Sequence, residues 1–452
     1  MEPECTKSVA NPDYIGTVLF RSSKKHKPRR KTGFCLYNDF LYDKSIVKNI
    51  RILLIACTVA VVAFFSFVPD ILRNNVSFDT DEMYWIQTAR MLPYILEGKF
   101  QSPYWHENMG FTNFNGAKWY YAITLNAIGF KEKDFNLIGI PPDTYYKWKD
   151  IGIVFPPRQR LYPLLKTARL FSALAVSIGM ALLFLSVIEV FNGDIIVAIF
   201  ATLLLRFHPI ILYIATHALA DSVFLVGQLT WLNLVIRIGK SKRMNSIVLL
   251  IAVGACIGFT ASVKINGAML YVLTLGILLL KNRTTPYELL IKTLIVTFAS
   301  EFTFFVVNPN IFFYPQYPLW MMITDRIAIT KYQMTYYLIH NPPHVLLTIP
   351  QRVQSFYYHV FNPIVLSCFG LSIVTTIPLL KNIKNKTVLL KIGYYWILAV
   401  LIFISLLSYV VFDEQRYFLP VLPFIITLCS VWVYVAKNYI VSLGRYWSAS
   451  AK

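Results

Sequence analysis

Asp79, Asp81 and Glu82 stand together within residues 77–90, roughly ten residues beyond the first apolar run of membrane length, residues 52–68. A chain leaving a bilayer is still within reach of the headgroups at that distance. Carboxylates held there can take a proton from a hydroxyl or bind a cation. The spacing Asp79-Thr80-Asp81 also suits a divalent cation, Mg²⁺ or Mn²⁺, shared with phosphate oxygens. A plainer use exists for the same residues, because Ser, Asp and Thr ahead of an amphipathic run are ordinary helix-capping signals. Met83, Ile86, Ala89 and Arg90 then share one helical face, which predicts a helix lying on the membrane surface.

Cations recur beside other apolar runs. Lys264 falls between two such runs with almost no loop, a place where an ammonium is costly unless it meets an anion or snorkels outward. Arg416 follows Phe412-Asp-Glu-Gln, so a phosphate or a local salt bridge to Asp413 or Glu414 would satisfy it. Lys118, Arg158, Arg160, Arg326 and Arg352 are further cations in the two long loops. Asp221 opens an apolar run, where capping alone would explain an Asp. His217 and His208 could join the acidic residues at a metal, yet they lack a ligand spacing, and polar packing is the simpler use. Arg206, followed by His208-Pro209 inside an apolar run, predicts a kink or a wet position, and Glu301 is a candidate partner for it.

The elements that must position these residues are membrane helices. In 452 residues, 56% are hydrophobic and 15% are charged, more apolar surface than one soluble core can hide. Apolar runs at 52–68, 170–191, 195–215, 222–238, 247–263, 266–280, 289–307, 364–380, 392–412 and 417–436 predict an all-α polytopic membrane protein with about ten transmembrane helices. The net charge of +20 sits largely in short segments between the runs, as the positive-inside rule expects, which argues against nucleic acid as a partner. Residues 1–51, with the basic run from Lys24 to Lys31, read as a cytoplasmic tail attracted to anionic lipid rather than as a signal peptide. All six cysteines lie in that tail or in apolar runs, so no disulfide framework is indicated.

With the tail inside, the short basic loops around Lys242, Arg283 and Lys384 all fall on the cytoplasmic side, as do residues 437–452. Two long segments, 69–166 and 308–362, then face the other way. Loops that long are usually functional. Their aromatics, among them Tyr104, Trp105, Trp119, Tyr120, Tyr145, Trp148, Trp320, Tyr336, Tyr337 and Tyr357, predict amphipathic helices at the interface, with sugar stacking as the rarer use. No fixed-period repeat is present, which argues against transporters built from inverted repeats. The sequon Asn75-Val-Ser77 lies on the same external side.

An acidic pair directly after the first span, Asp81-Glu82, followed by aromatics and Ala89-Arg90, resembles the first external loop of GT-C class glycosyltransferases, in particular the protein O-mannosyltransferase and lipid A aminoarabinose transferase group. Further pieces follow in family order. Gly116-Ala-Lys-Trp-Tyr-Tyr-Ala122 resembles the second loop motif, and Ala168-Arg-Leu-Phe-Ser-Ala-Leu174 the start of the second membrane helix. His217-Ala-Leu-Ala-Asp221 and the glycine-flanked turn from Gly258 to Gly267 resemble external turns, and Arg416-Tyr-Phe-Leu-Pro420 the start of the last helix. The chain departs from the pattern in lacking Pro-Pro-Leu after Lys118, in a polar insert before Pro156-Pro157-Arg158, and in having no soluble C-terminal domain.

The resemblance implies a GT-C type fold with a catalytic domain over residues 52–436, and transfer of a monosaccharide from a polyprenyl-phosphate carrier to a protein, glycan or lipid acceptor on the non-cytoplasmic face. An inverting displacement gains from a carboxylate that takes the acceptor proton; Asp81 is the expected base, with Asp79 as the alternative. Glu82 would orient the acceptor, the base or a cation. Lys118, Lys264 and Arg416 would bind the donor phosphate, with Asp221 and His217 in support. A divalent cation is the only cofactor in view. The plasma membrane of a bacterium or archaeon is the expected location, the endoplasmic reticulum membrane the alternative. Rival readings are a transporter or flippase of lipid-linked sugars and a non-catalytic member of the fold.

Overall fold

Apolar residues recur along the chain at helical spacing, and among the described residues all regular structure is helical apart from one isolated antiparallel bridge, Val345 with Phe412. The computed structural model describes residues 44–73, 80–99, 114–135, 158–238, 243–280, 285–313, 319–381 and 386–450. Residues 52–452 form one unit and residues 1–51 another, of which 44–51, the first turns of a helix, are described.

The chain is an integral, multi-pass membrane protein. Helix α1 (Lys44–Leu72) is followed by α2 (Thr80–Gln87), a 3-10 turn and α3 (Met91–Leu96), then α4 (Gly116–Ile128) and α5 (Glu132–Phe135). A central group comprises α6 (Arg158–Val190), α7 (Ile195–Arg206), α8 (Pro209–Thr216), α9 (Ala220–Ile238) and α10 (Arg243–Val263). After them come α11 (Met269–Leu280), α12 (Pro286–Val307), α13 (Pro309–Phe313), α14 (Leu319–His340) and α15 (Ile349–Val360). The chain ends with α16 (Pro363–Lys381), α17 (Lys386–Tyr409), α18 (Leu422–Cys429) and α19 (Val431–Ser450).

Among the described residues six helices are long and apolar enough to cross a membrane unbroken; two bent pairs raise the number to eight, and two apolar helices, Ile247–Val263 and Ile265–Leu279, are shorter. The run at 195–215 is one of the bent pairs. It breaks by 66° between α7 and α8, where Pro209 cannot donate to the preceding turn and the His208 ring accepts from the Ile210 amide at 3.2 Å instead. Arg206 ends α7 and turns to α1, donating to Ser66 Oγ at 2.6 Å and to the Ser66 carbonyl at 2.8 Å, with Asp70 at 3.8 Å and its guanidinium over the Phe67 ring. Its partner is therefore Asp70, not Glu301. The other bent pair turns 98° between α15 and α16, so that α15 lies crosswise to α16. A capping box of Thr348 and Gln351 opens α15.

Two devices bring the helices close enough to build a site. Gly254 and Gly258 face α12, where a Cβ on Gly254 would sit 2.6 Å from the Val296 carbonyl oxygen; only glycine allows that approach. At the far end of α6, Asn192 and Gly193 take left-handed conformations, and Asp194 caps α7 by accepting from the Ile196 and Val197 amides. Lys437 then reaches Asp194 at 2.7 Å, tying α19 to this turn.

Candidate active site

Asp81 occupies the first turn of α2, where a carboxylate also complements the helix dipole. Its partner arrives from the other end of the chain. Past α17 the backbone runs extended and is pinned by the Val345–Phe412 bridge, with the Leu346 amide donating to the Val411 carbonyl at 2.8 Å and the Asp413 amide to the His344 carbonyl at 2.9 Å. A 3-10 turn, Gln415–Phe418, then directs Arg416 at the acidic residues. Arg416 Nη1 lies 2.7 Å from Asp81 Oδ2, and its Nε donates to Glu414 Oε2 at 2.6 Å. Burial alone would raise the Glu414 carboxyl, but His344, 3.6 Å away, and Arg416 hold it at about 2. Burial opposes the Arg416 charge while Asp81 and Glu414 favour it, and the guanidinium stays firmly protonated.

Lys264 belongs to the same rim. It follows α10 in extended conformation, and the next turn folds back so tightly that a side chain on Gly267 would collide with the backbone of Thr260 and Ala261. The Lys264 ammonium meets Asp221 Oδ1 at 2.6 Å, in the first turn of α9. It also lies 5.9 Å from the centroid of the Tyr417 ring, the same separation as the Arg416 guanidinium. Arg326 of α14 acts electrostatically on that phenol too, which burial raises above its ordinary value. Two cations from distant segments therefore flank one aromatic ring beside a half-exposed carboxylate. Tyr337 completes the wall, its ring 4.6 Å from His344 and 5.8 Å from Phe412.

Glu82 is placed otherwise. Adjacent helical residues diverge by about 100°, and this carboxylate is fully buried, gripped by Arg169 through Nε at 2.8 Å and Nη2 at 2.6 Å, and by the Ala218 amide at 2.7 Å. It clamps α2 to α6 and to the turn before α9. Trp85, Ile86 and Ala89 are likewise buried, so the stretch expected to lie on the membrane surface is packed into the protein instead.

Lys118 is buried in α4, its ammonium 3.3 Å from Asn115 Oδ1. Asn115 in turn bonds to Asn308 and Asn310, and Asn308 to Ser262, two residues before Lys264. Gly116 makes this possible, since a Cβ there would meet the Ser262 backbone at 2.8 Å. Burial lowers the Lys118 ammonium to about 7. His217 is buried with Nδ1 2.9 Å from the Tyr213 carbonyl and its ring on Tyr213, which is packing within its own turn. Arg352 donates to the Leu346 and Leu407 carbonyls, holding α15 against the end of α17.

Asp79, the sequon Asn75-Val-Ser77 and loop aromatics such as Tyr104, Trp105, Tyr145 and Trp148 lie outside the described residues, as do the side chains of Arg158 and Arg160. Among the described residues no three His, Cys, Asp or Glu side chains gather as a metal site.

Sequence reasoning gives no catalytic or binding role to Arg169, Glu414, His344 or Tyr417 of this site. Arg169 had a signal, a charge in the opening turns of an apolar run. Glu414 was in view only as a local partner of Arg416, and His344 had no signal at all.

Residues 162–343, about two-fifths of the chain, match the family model described as dolichyl-phosphate-mannose-protein mannosyltransferase. The motifs beginning at Ala168, His217 and Gly258 lie inside the match; those at Asp81, Gly116 and Arg416 lie outside it. No curated protein matched the chain. The match supports the resemblance read from the motifs, that of a GT-C mannosyltransferase-like membrane glycosyltransferase.

Proposed function

We propose, from the premise of a GT-C mannosyltransferase-like membrane enzyme, that the chain moves a mannosyl group from a polyprenyl phosphate to a hydroxyl of a protein acceptor. The external face of the membrane is the side to which the basic loops assign this rim. The observation that carries the reading is the meeting of Asp81, Arg416 and Lys264 around Tyr417.

Breaking the bond between the anomeric carbon and the phosphate oxygen leaves the electron pair on phosphate, and a cation already in place stabilises that charge without reorganising. Arg416 and Lys264 supply two such cations, with their aliphatic stems and Tyr417 keeping bulk water away. The acceptor oxygen attacks the opposite face of the sugar, which inverts the anomeric centre, and its proton passes to a carboxylate. Asp81 is that base, as the exposed carboxylate of the rim. A phosphate arriving at Arg416 competes with the Asp81 carboxylate, so donor binding frees the base at the step that needs it. Glu82, buried against Arg169, positions α2.

The experiment is Asp81→Asn in purified enzyme supplied with polyprenyl-phosphate mannose and an acceptor peptide. The variant should bind the carrier and release no polyprenyl phosphate; turnover at the wild-type rate would reject the assignment.

A further inference from the structure

Helix α12 is apolar enough to span the membrane, yet Val296 and Ala299 alone among its residues are buried. One side packs on Gly254 and Gly258 of α10 through Val296, Ala299 and Ser300. The other side is a stripe at helical spacing, Tyr287, Leu290, Leu294, Phe298, Phe302 and Val306, all more than half exposed. Glu301 is exposed on the same side of the helix, beside the stripe, where the rings of Phe298 and Phe302 stack on one another. None of the hydrogen bonds or ion pairs of the described residues involves its carboxylate, whereas Glu288 on the same helix has Lys292 at 3.7 Å.

At 1.5 Å per residue Glu301 sits about 9 Å inside the helix end at Val307, within a hydrocarbon layer about 30 Å thick. A carboxylate facing acyl chains at that depth is unfavourable, and such residues turn toward protein or water. Among the described residues no cation pairs with it. Arg206 is held by Ser66 and Asp70, Lys391 by Asn192, and Lys437 by Asp194. A second copy meeting this face across a twofold axis would set Glu301 against Glu301.

We infer that the outward face of α12 is the docking surface for a transmembrane helix of a different protein, one that presents Lys, Arg or His at the depth of Glu301. The apolar stripe supplies the packing and the carboxylate supplies register and selectivity, as intramembrane polar groups do between helices.

The test places a photo-reactive amino acid at Phe302 in the full-length chain in its native membrane and maps the cross-linked peptides. The expected adduct is a membrane segment of another protein with a basic residue within one turn of the cross-link. Glu301→Leu should cut its yield about tenfold, and Glu301→Lys should recover it when the partner's basic residue is changed to Glu. Adducts to lipid only, to a second copy of this chain, or of equal yield in Glu301→Leu would overturn the inference. In detergent, Glu301→Leu should melt at the wild-type temperature or above. A lower temperature would show that Glu301 serves its own fold, and would equally overturn it.

Discussion

Asp81 and Arg416 form an ion pair of 2.7 Å in which the carboxylate side chain is 48% exposed and the guanidinium side chain 13%. The asymmetry makes the acid the reachable member and the base the fixed one, since Arg416 is also held by Glu414.

Removing the reachable member should therefore damage chemistry and spare the fold. Asp81→Asn is expected to lower turnover by about 10²–10⁴-fold, with a stability loss smaller than the about 3–5 kcal/mol of a broken fully buried pair, because Glu414 still holds Arg416. Single-turnover assays beside thermal unfolding separate the two effects.

Lys264 is expected to act on donor binding. Lys264→Met should raise KM for the lipid-phosphate donor about tenfold or more, the cost of one charge-assisted hydrogen bond, with a smaller change for the acceptor. Asp221→Asn should do the same more weakly, because it loosens Lys264 without removing it. Equal KM values in all three proteins would separate Lys264 from the phosphate.

Glu82 and Arg169 behave as a structural unit. Glu82→Ala leaves a buried guanidinium without its carboxylate and should cost about 3–5 kcal/mol. Replacing both residues by Met should cost less than either single change. Melting temperatures of the four proteins test this directly.

Two groups make stability rise with pH, each in its own range. Burial lowers the Lys118 ammonium from 10.5 to about 7, so between those values the unfolded chain binds more protons than the folded one, and stability should rise with pH from 7 toward 10. Lys118→Met should flatten that rise. Glu414 is held at about 2, so its contribution is complete above pH 4.5 and fades as pH falls toward 2. His344→Ala should move that loss to higher pH.

Gly267→Ala should displace Lys264, because the new methyl group meets backbone at Thr260 and Ala261 rather than a side chain that can yield. A stability loss of about 1–3 kcal/mol and a raised donor KM are expected together. A loss of stability alone would mean that the turn holds the fold but does not place the ammonium.

The sequence by itself determined the spans, the class of fold and most of the chemistry-bearing residues. Membrane helices must satisfy their own backbone, so hydropathy reports them, and a charge beside an apolar run stands out because burying it is costly. Lys264, Arg416, Asp81 and Asp221 were all visible on those grounds. Only the tertiary structure decided which charge meets which. Asp81 faces Arg416 while its neighbour Glu82 turns inward to Arg169; Lys264 and Arg416 both meet Tyr417; and Arg206 goes to Asp70 and not to Glu301. Pairing across hundreds of residues depends on how the helices cross and on where glycine lets backbones touch, and one helix's local pattern carries no record of its neighbour's.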